Sequence, residues 1–360
     1  MSTPAHDLVA RARRLAKDLL APEAERVDRQ WVPASHVEAI RRSGLLGLNA
    51  PVEYGGSAAP AAVAREVAEI LAGACCSTWF VQTQHHTPVQ TLANSDLPVR
   101  ERLLGPLARG ELLSGVAYAH LRSYPRTPVR VSRERGGHRF HGTVPWYTGW
   151  GLNDVMLLAG VSDGAEVVFA FVEAREQPGL RASEPLRLAA LTAARTVSLE
   201  LDGLWVPEDA VALRAPRSRW AATDRRTTLH ASPAVFGVAE AALGLLDEDT
   251  AGPLRARLAE VRRAAYALAD GPVPQQEPAD RPTLRTQAYE VMRTATTAAV
   301  VAGGGRAMLL TGKAQRLARE GMFLLVQGQT EESRRAHLNT LAASVVPAHG
   351  PSTGTAATSA

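Results

Sequence analysis

Apolar residues recur at three- and four-residue spacing from residue 5 to about residue 115, as Leu8-Val9, Ala12, Leu15-Ala16 and Leu19-Leu20, and again between Val37 and Leu48. That period predicts helices with one buried face. The sharpest break is Glu53-Tyr54-Gly55-Gly56, where paired glycines admit positive φ. From about Val116 to Val211 the pattern shortens to alternating segments rich in Val, Leu, Phe and Tyr, including residues 166–172 and 196–201, separated by Gly and Pro. A β-domain is expected there. Helical spacing returns near Ser218 and runs to Leu341, interrupted by a Pro-rich polar stretch, residues 271–282, that predicts a loop. The expected units are thus helical 1–115, β 116–212 and helical 213–345, with a Ser/Thr/Gly/Ala-rich disordered tail over 346–360.

Composition narrows the classes. With 360 residues and 46% hydrophobic side chains the chain can bury a large core across two or three units. The net charge of +4 comes from an arginine-dominated set in which Lys17 and Lys313 are the only lysines. No block of like charge or alternation of basic and aromatic residues appears, so no nucleic-acid partner is expected. No apolar run approaches the roughly 18 residues of a membrane span, and residues 1–7 lack an apolar signal region; no membrane association and a cytoplasmic address are expected. Adjacent Cys75 and Cys76 in an apolar run fit neither a disulfide framework nor metal spacing and predict core thiols, with no metal.

Several local motifs are more specific. They are Pro51-Val52-Glu53-Tyr54-Gly55-Gly56; Gly110-Glu111 followed by Ala117-Tyr118-Ala119; Pro145-Trp146-Tyr147-Thr148-Gly149; Ala194-Arg195-Thr196-Val197 through Val206-Pro207; and Arg319, Thr330 and Arg335 at the far end. In this order, over nearly the whole chain, they resemble the acyl-CoA dehydrogenase superfamily. The resemblance implies a mainly α protein with a helical N-domain, a middle β-barrel and a C-terminal helical bundle. It implies a flavin as well, with Tyr118, Ala119, His120, Trp146, Tyr147, Thr148 and Thr330 at the cofactor. In the motif Lys-x-Trp-Ile-Thr-Asn the aromatic covers the ring and the Thr hydroxyl reaches N5. Strand alternation puts Trp146 and Thr148 on one face, which a stacking aromatic and a hydroxyl suit; the bland alternative is a sheet aromatic beside a solvated Thr.

The departures from that family are equally informative. Its usual base, a Glu in the last active-site loop, aligns with Gly328, flanked by Gln327 and Gln329, none of which accepts a proton near neutral pH. A second family location for the base falls near Thr227, where Asp224 is the nearby carboxylate; it reads equally as an ion-pair partner of neighbouring arginines. Gln84-His85-His86 lies on an otherwise apolar helix and resembles the His-His of flavin monooxygenases on this scaffold, where a histidine faces the flavin; the alternative is a hydrogen-bonded core histidine. Leu121 to Thr127 replaces Thr-Glu-Pro-x-x-Gly-Ser-Asp, leaving Arg122 and Arg126 either to meet an anion or to be solvated. The adenine anchors are replaced by Leu245 to Pro253 and by Val300 to Gly305, so FMN is considered beside FAD.

The resulting expectation is a flavin-dependent oxidoreductase, a two-component monooxygenase taking reduced flavin from a separate reductase and acting with O₂ on a small organic or natural-product substrate. His85, His86, Gln327 and Asp224 are its candidate catalytic residues. The alternatives are an acyl-thioester dehydrogenase with a displaced base and a non-catalytic homologue acting as a binding subunit. A homodimer or homotetramer through the C-terminal helices is expected, with the small residues of 295–302 offering close contact.

Overall fold

The computed structural model describes residues 4–123, 125–271 and 280–343. The predicted tail and most of the stretch 271–282 lie outside the described residues. Helix α1 (Pro4–Leu15) continues through a π turn at Ala16–Leu20 into α2 (Ala21–Arg29). Leu8, Ala12, Ala16, Leu20, Ala24 and Val27 are all buried, one per turn. Helix α3 (Ala34–Ser43) stops at Gly44, whose φ of 73° supplies the left-handed cap. Four further helices complete the N-terminal unit: α4 (Ala61–Ala74), α5 (Cys76–Thr83), α6 (His86–Ala93) and α7 (Val99–Ala108). Cys75 and Cys76 are free and buried, and burial raises both thiols above their ordinary range.

The strands are β1 (Ser114–Ala117), β2 (Val129–Glu134), β3 (Gly137–Tyr147), β4 (Val155–Val161), β5 (Glu166–Glu173), β6 (Leu180–Ala182), β7 (Val197–Pro207) and β8 (Val211–Pro216). They form one eight-stranded sheet in the order β6-β7-β3-β2-β4-β5-β8, with β1 pairing parallel to β4. Near-continuous apolar runs in β4 and β5 follow from burial on both faces. Met156, Leu158, Val168 and Ala170 pack with Phe140 and Tyr147 in the core of the β-unit. Leu157, Ala159, Val167 and Phe169 instead pack against Val89, Leu92, Leu104 and Leu107 of α6 and α7. The sheet therefore serves as the wall on which the N-terminal helices rest.

Helices α8 (Arg217–Thr228), α9 (Pro233–Leu243), α10 (Glu248–Asp270), α11 (Asp280–Gly303), α12 (Lys313–Val326) and α13 (Glu331–Ala343) close the fold. Of these, α9 to α12 share one core with α1 to α5. Helices α4 and α9 meet backbone to backbone: a Cβ on Gly73 would lie 2.6 Å from the Gly237 carbonyl, and one on Gly237 would collide with the Glu69 carbonyl. The small residues of 295–302 divide between two faces, Ala302 being exposed and Ala298 partly buried. Ala295 and Ala299 are fully buried in the chain's own core, so close packing within the chain uses that stripe. Among the described residues no helix is long and apolar enough to cross a membrane. No group of three or more His, Cys, Asp or Glu among them could hold a metal ion.

Candidate active site

The end of β3 sorts the expected cofactor residues by strand alternation. Trp146 is 53% exposed, whereas Tyr147 is fully buried in the β-core with its ring edge-on to Trp150 at 6.0 Å. Tyr147 therefore points away from Trp146 and is a core residue rather than a cofactor contact. Its hydroxyl accepts a hydrogen bond from Asn153 Nδ2 at 2.9 Å, and the same nitrogen donates to the Thr148 carbonyl at 2.9 Å. The Thr148 hydroxyl is buried 3.1 Å from that of Thr196. Asn153 and Gln82 were not singled out from the sequence, and Thr196 was named there only as part of a strand motif.

Strand β1 fixes the histidine pair. The Ser114 N–H donates to His85 Nδ1 at 3.0 Å, which forces the proton onto Nε2, 3.2 Å from the Leu107 carbonyl. Both ring nitrogens of His85 are thereby committed to backbone, and burial pushes its pKa down to about 3. His85 thus turns out to be a satisfied core histidine with no nitrogen left for a ligand. His86 is different. Its Nε2 lies 2.7 Å from the Gln82 amide nitrogen, a donor, so the proton resides on Nδ1. That Nδ1 is buried without a partner among the described residues, and burial lowers the His86 pKa to about 4.

The turn Ala119–Ser123 follows β1. His120 is buried there with Nε2 3.0 Å from the Ala159 carbonyl, and burial lowers its pKa to about 4. It is anchored to the sheet, while Ala119 beside it is only partly buried. Tyr118 packs edge-on to Phe169 at 5.5 Å, and its hydroxyl meets that of Thr87, the residue after His86. Arg122 is not solvated: Nε and Nη2 reach the two Asp224 oxygens at 2.8 and 2.7 Å. Asp224 is correspondingly not a free base, since both its oxygens accept from the bidentate guanidinium. Arg126 is exposed.

The last turns of α12 lie against α5, because Phe323 packs edge-on to Phe80 at 4.8 Å. Gln327 closes α12, its N–H donating to the Phe323 carbonyl at 3.0 Å. Gly328 has a φ of +62°, and a Cβ there would meet nothing within 4 Å. The Gln329 amide donates to the Leu325 carbonyl at 3.3 Å. Thr330 caps α13, its N–H donating to Ser333 Oγ at 2.9 Å while its hydroxyl accepts from the Ser333 N–H at 3.2 Å. Glu332 pairs with Arg225 at 2.6 Å, tying α13 to α8. Arg319, with both Nη atoms on Asp28, docks α12 onto α2, and Arg335 pairs on the surface with Glu331.

Strand β1 thus holds His85 at Ser114 and has Tyr147 and Asn153 packed at Gly115, while the Arg122–Asp224 pair lies beyond its other end. A groove of about 1060 Å³ between α1, α4, α9 and α10 is lined by none of the predicted residues. Its Glu69 accepts from Arg262 at 2.9 Å and from the Tyr266 hydroxyl at 2.6 Å, so those groups satisfy one another.

Helices, an eight-stranded sheet and helices in this order define an acyl-CoA dehydrogenase-like fold. Residues 3–111 match the acyl-CoA dehydrogenase N-terminal domain family. Over 95% of its length the chain superposes on 99% of butyryl-CoA dehydrogenase from Megasphaera elsdenii, with a TM-score of 0.80 at 16% identity. A glutaryl-CoA dehydrogenase from Mycobacterium smegmatis in complex with FADH2 gives a TM-score of 0.77 at 16% identity, over 95% of each chain. The likeness to that family is thus carried in sequence by residues 3–111 and in fold by nearly the whole chain. Among curated proteins it is 27% identical over 161 residues to a 3-sulfinopropanoyl-CoA desulfinase from Variovorax paradoxus, covering 42% of this chain and 39% of the relative. The same activity is named for a relative from Paraburkholderia xenovorans, 26% identical over 182 residues, or 47% of this chain and 46% of that one. The match therefore spans less than half the length of these curated relatives.

Proposed function

We propose that the chain is a flavin-dependent oxidoreductase that transfers oxygen to a small organic substrate rather than desaturating an acyl thioester. The observation that carries this reading is the state of the two base positions: Gly328 bears no side chain, and Asp224 is held by Arg122. General-base help is worth roughly 10²- to 10⁴-fold, so removal of an α-proton loses its main assistance. The residues present fit the ring half of a flavin, with the exposed Trp146 indole as a stacking surface and the paired Thr148 and Thr196 hydroxyls as donors. The adenine half is less well provided, and FMN is as acceptable on these grounds as FAD.

A reduced flavin held here, supplied by a separate reductase, would provide the two electrons which, with two protons, let one atom of O₂ enter the substrate while the other leaves as water. The protein's part is local: Trp146 orients the ring, Thr148 presents a hydroxyl, and His86 keeps a neutral Nδ1–H donor shut away from solvent. Gln327 is assigned to substrate orientation through its amide. Self-assembly is proposed through the apolar surface left by Val301, Met308, Leu309 and Leu310, which are 75%, 71%, 59% and 64% exposed.

Purified protein loaded with oxidised FMN or FAD and mixed anaerobically with saturated acyl-CoA tests the reading. No flavin bleaching is expected, whereas rapid bleaching would overturn oxygen transfer and restore the dehydrogenase. Failure to bind either flavin would favour the binding subunit.

A further inference from the structure

Gly149 stands directly after Thr148, where the resembled motif carries asparagine, and its backbone is left-handed with a φ of +84°. A Cβ at that position would lie 2.5 Å from Asn153 Nδ2 and 2.9 Å from Asn153 Oδ1. On the opposite side, a Cβ on Gly115 of β1 would collide with the same Nδ2 and come within 2.7 Å of the Tyr147 hydroxyl. The Asn153 carboxamide therefore fills the room left by two absent side chains. It is 7% exposed, and its two N–H bonds go to the Thr148 carbonyl and the Tyr147 hydroxyl. Only an amide of this length meets those demands: aspartate has no donor, alanine leaves the buried carbonyl unpaired, and glutamine adds a methylene to a closed space.

The consequence reaches the residues around it. The Thr148 carbonyl is held by Asn153, and the next N–H, that of Gly149, donates to the Ala194 carbonyl at 2.8 Å. The peptide joining residues 148 and 149 is pinned at both its polar atoms. The Thr148 hydroxyl is held in turn by Thr196.

We propose that Asn153 is a positioning residue, which sets the direction of Trp146 and Thr148 toward their ligand by occupying the space that a side chain at position 149 would take. The proposal rests on the flavin reading above. It makes positions 149 and 153 exchangeable: an amide is needed at one of them and excluded from the other.

Three full-length variants test this by titration with FMN and FAD, followed by the visible circular dichroism of the bound flavin, which reports ring geometry rather than stability. Asn153→Ala and Gly149→Asn should each weaken binding about tenfold and alter the dichroism, the first by freeing the Thr148 peptide and the second by crowding Asn153. Asparagine tolerates the left-handed backbone, so strain at 149 is small. The double variant Gly149→Asn/Asn153→Ala should return to within about threefold of the unmodified chain and recover its dichroism. A double variant that fails to fold, or binds no better than the single ones, overturns the role of Asn153 while leaving flavin binding intact. If the unmodified chain binds neither flavin, the flavin reading itself falls and takes this role with it.

Discussion

Gly149 and Gly328 share a backbone and differ in everything around it. Both are left-handed, at φ of +84° and +62°, and both stand where the resembled motifs carry a polar side chain, asparagine in one and glutamate in the other. At Gly149 the missing group's room is filled by Asn153, four residues on; at Gly328 a Cβ would meet nothing within 4 Å. At the first site a neighbouring amide thus occupies the room and holds a peptide still. At the second, which on the proposed reading is the place of the family's carboxylate, the room stays open.

The largest effect is expected from Gly149→Ala. The left-handed backbone costs a residue with a Cβ about 1 kcal/mol, and overpacking against the Asn153 amide adds roughly 1–3 kcal/mol. A loss of about 3 kcal/mol in urea unfolding is the expected outcome. A loss under about 1 kcal/mol would mean that Asn153 moves aside freely and that the two glycines are alike after all.

Asp224→Ala asks whether the missing base was re-supplied elsewhere. Its pairing with Arg122 leaves the two side chains 13% and 24% exposed. Breaking a fully buried pair costs roughly 3–5 kcal/mol, and the partial exposure here brings the expectation to about 2–3 kcal/mol. Stability should fall. Lost turnover with an unchanged unfolding midpoint would instead make Asp224 the base that Gly328 lacks.

The histidine pair gives a smaller effect with a definite sign. His85 has a folded pKa of about 3 against about 6.5 unfolded, so below about pH 6.5 the unfolded chain binds the extra proton. Its depressed value contributes stability that is present above the unfolded pKa and lost as pH falls toward the folded one. At pH 5 that loss is roughly 2 kcal/mol from this residue alone. His86 and His120, each near 4, act in the same direction. Unfolding curves between pH 7 and pH 5 should steepen accordingly, and His85→Asn should remove about one proton from the slope. An unchanged slope would return His85 to the solvent and to candidacy for ligand contact.

The order of helices, strands and helices was legible because period alone separates one buried face per helix from the doubly buried runs of β4 and β5. Parts of the site were legible and misread. Strand alternation that pairs Trp146 with Thr148 already turns Tyr147 away, and Thr330 followed by Glu331-Glu332 is a helix-start signal. Gln82 lies four residues before His86, the spacing of helix neighbours, and was within reach of the same reasoning. What divides His85 from His86 was not legible, since the Ser114 N–H and the Leu107 carbonyl arrive from distant elements. The same holds for Arg122, whose partner lies 102 residues away.

The smallest effect is the one that tests the open side of the comparison. At Gly328 no neighbour opposes a Cβ, so Gly328→Ala should cost only the left-handed backbone, about 1 kcal/mol. Gly328→Asn should cost less, because a short amide tolerates that conformation better than alanine does. At Gly149 the same alanine meets both the backbone cost and the Asn153 amide, so the difference between the two alanine variants isolates the steric part. Paired urea titrations measure it directly. If Gly328→Ala proves as damaging as Gly149→Ala, the α12–α13 loop is closed around that glycine in solution, and a side chain is absent there for want of room. If the cost stays near 1 kcal/mol, space was available for a carboxylate at the usual position, and its absence reflects the chemistry of the site rather than its packing.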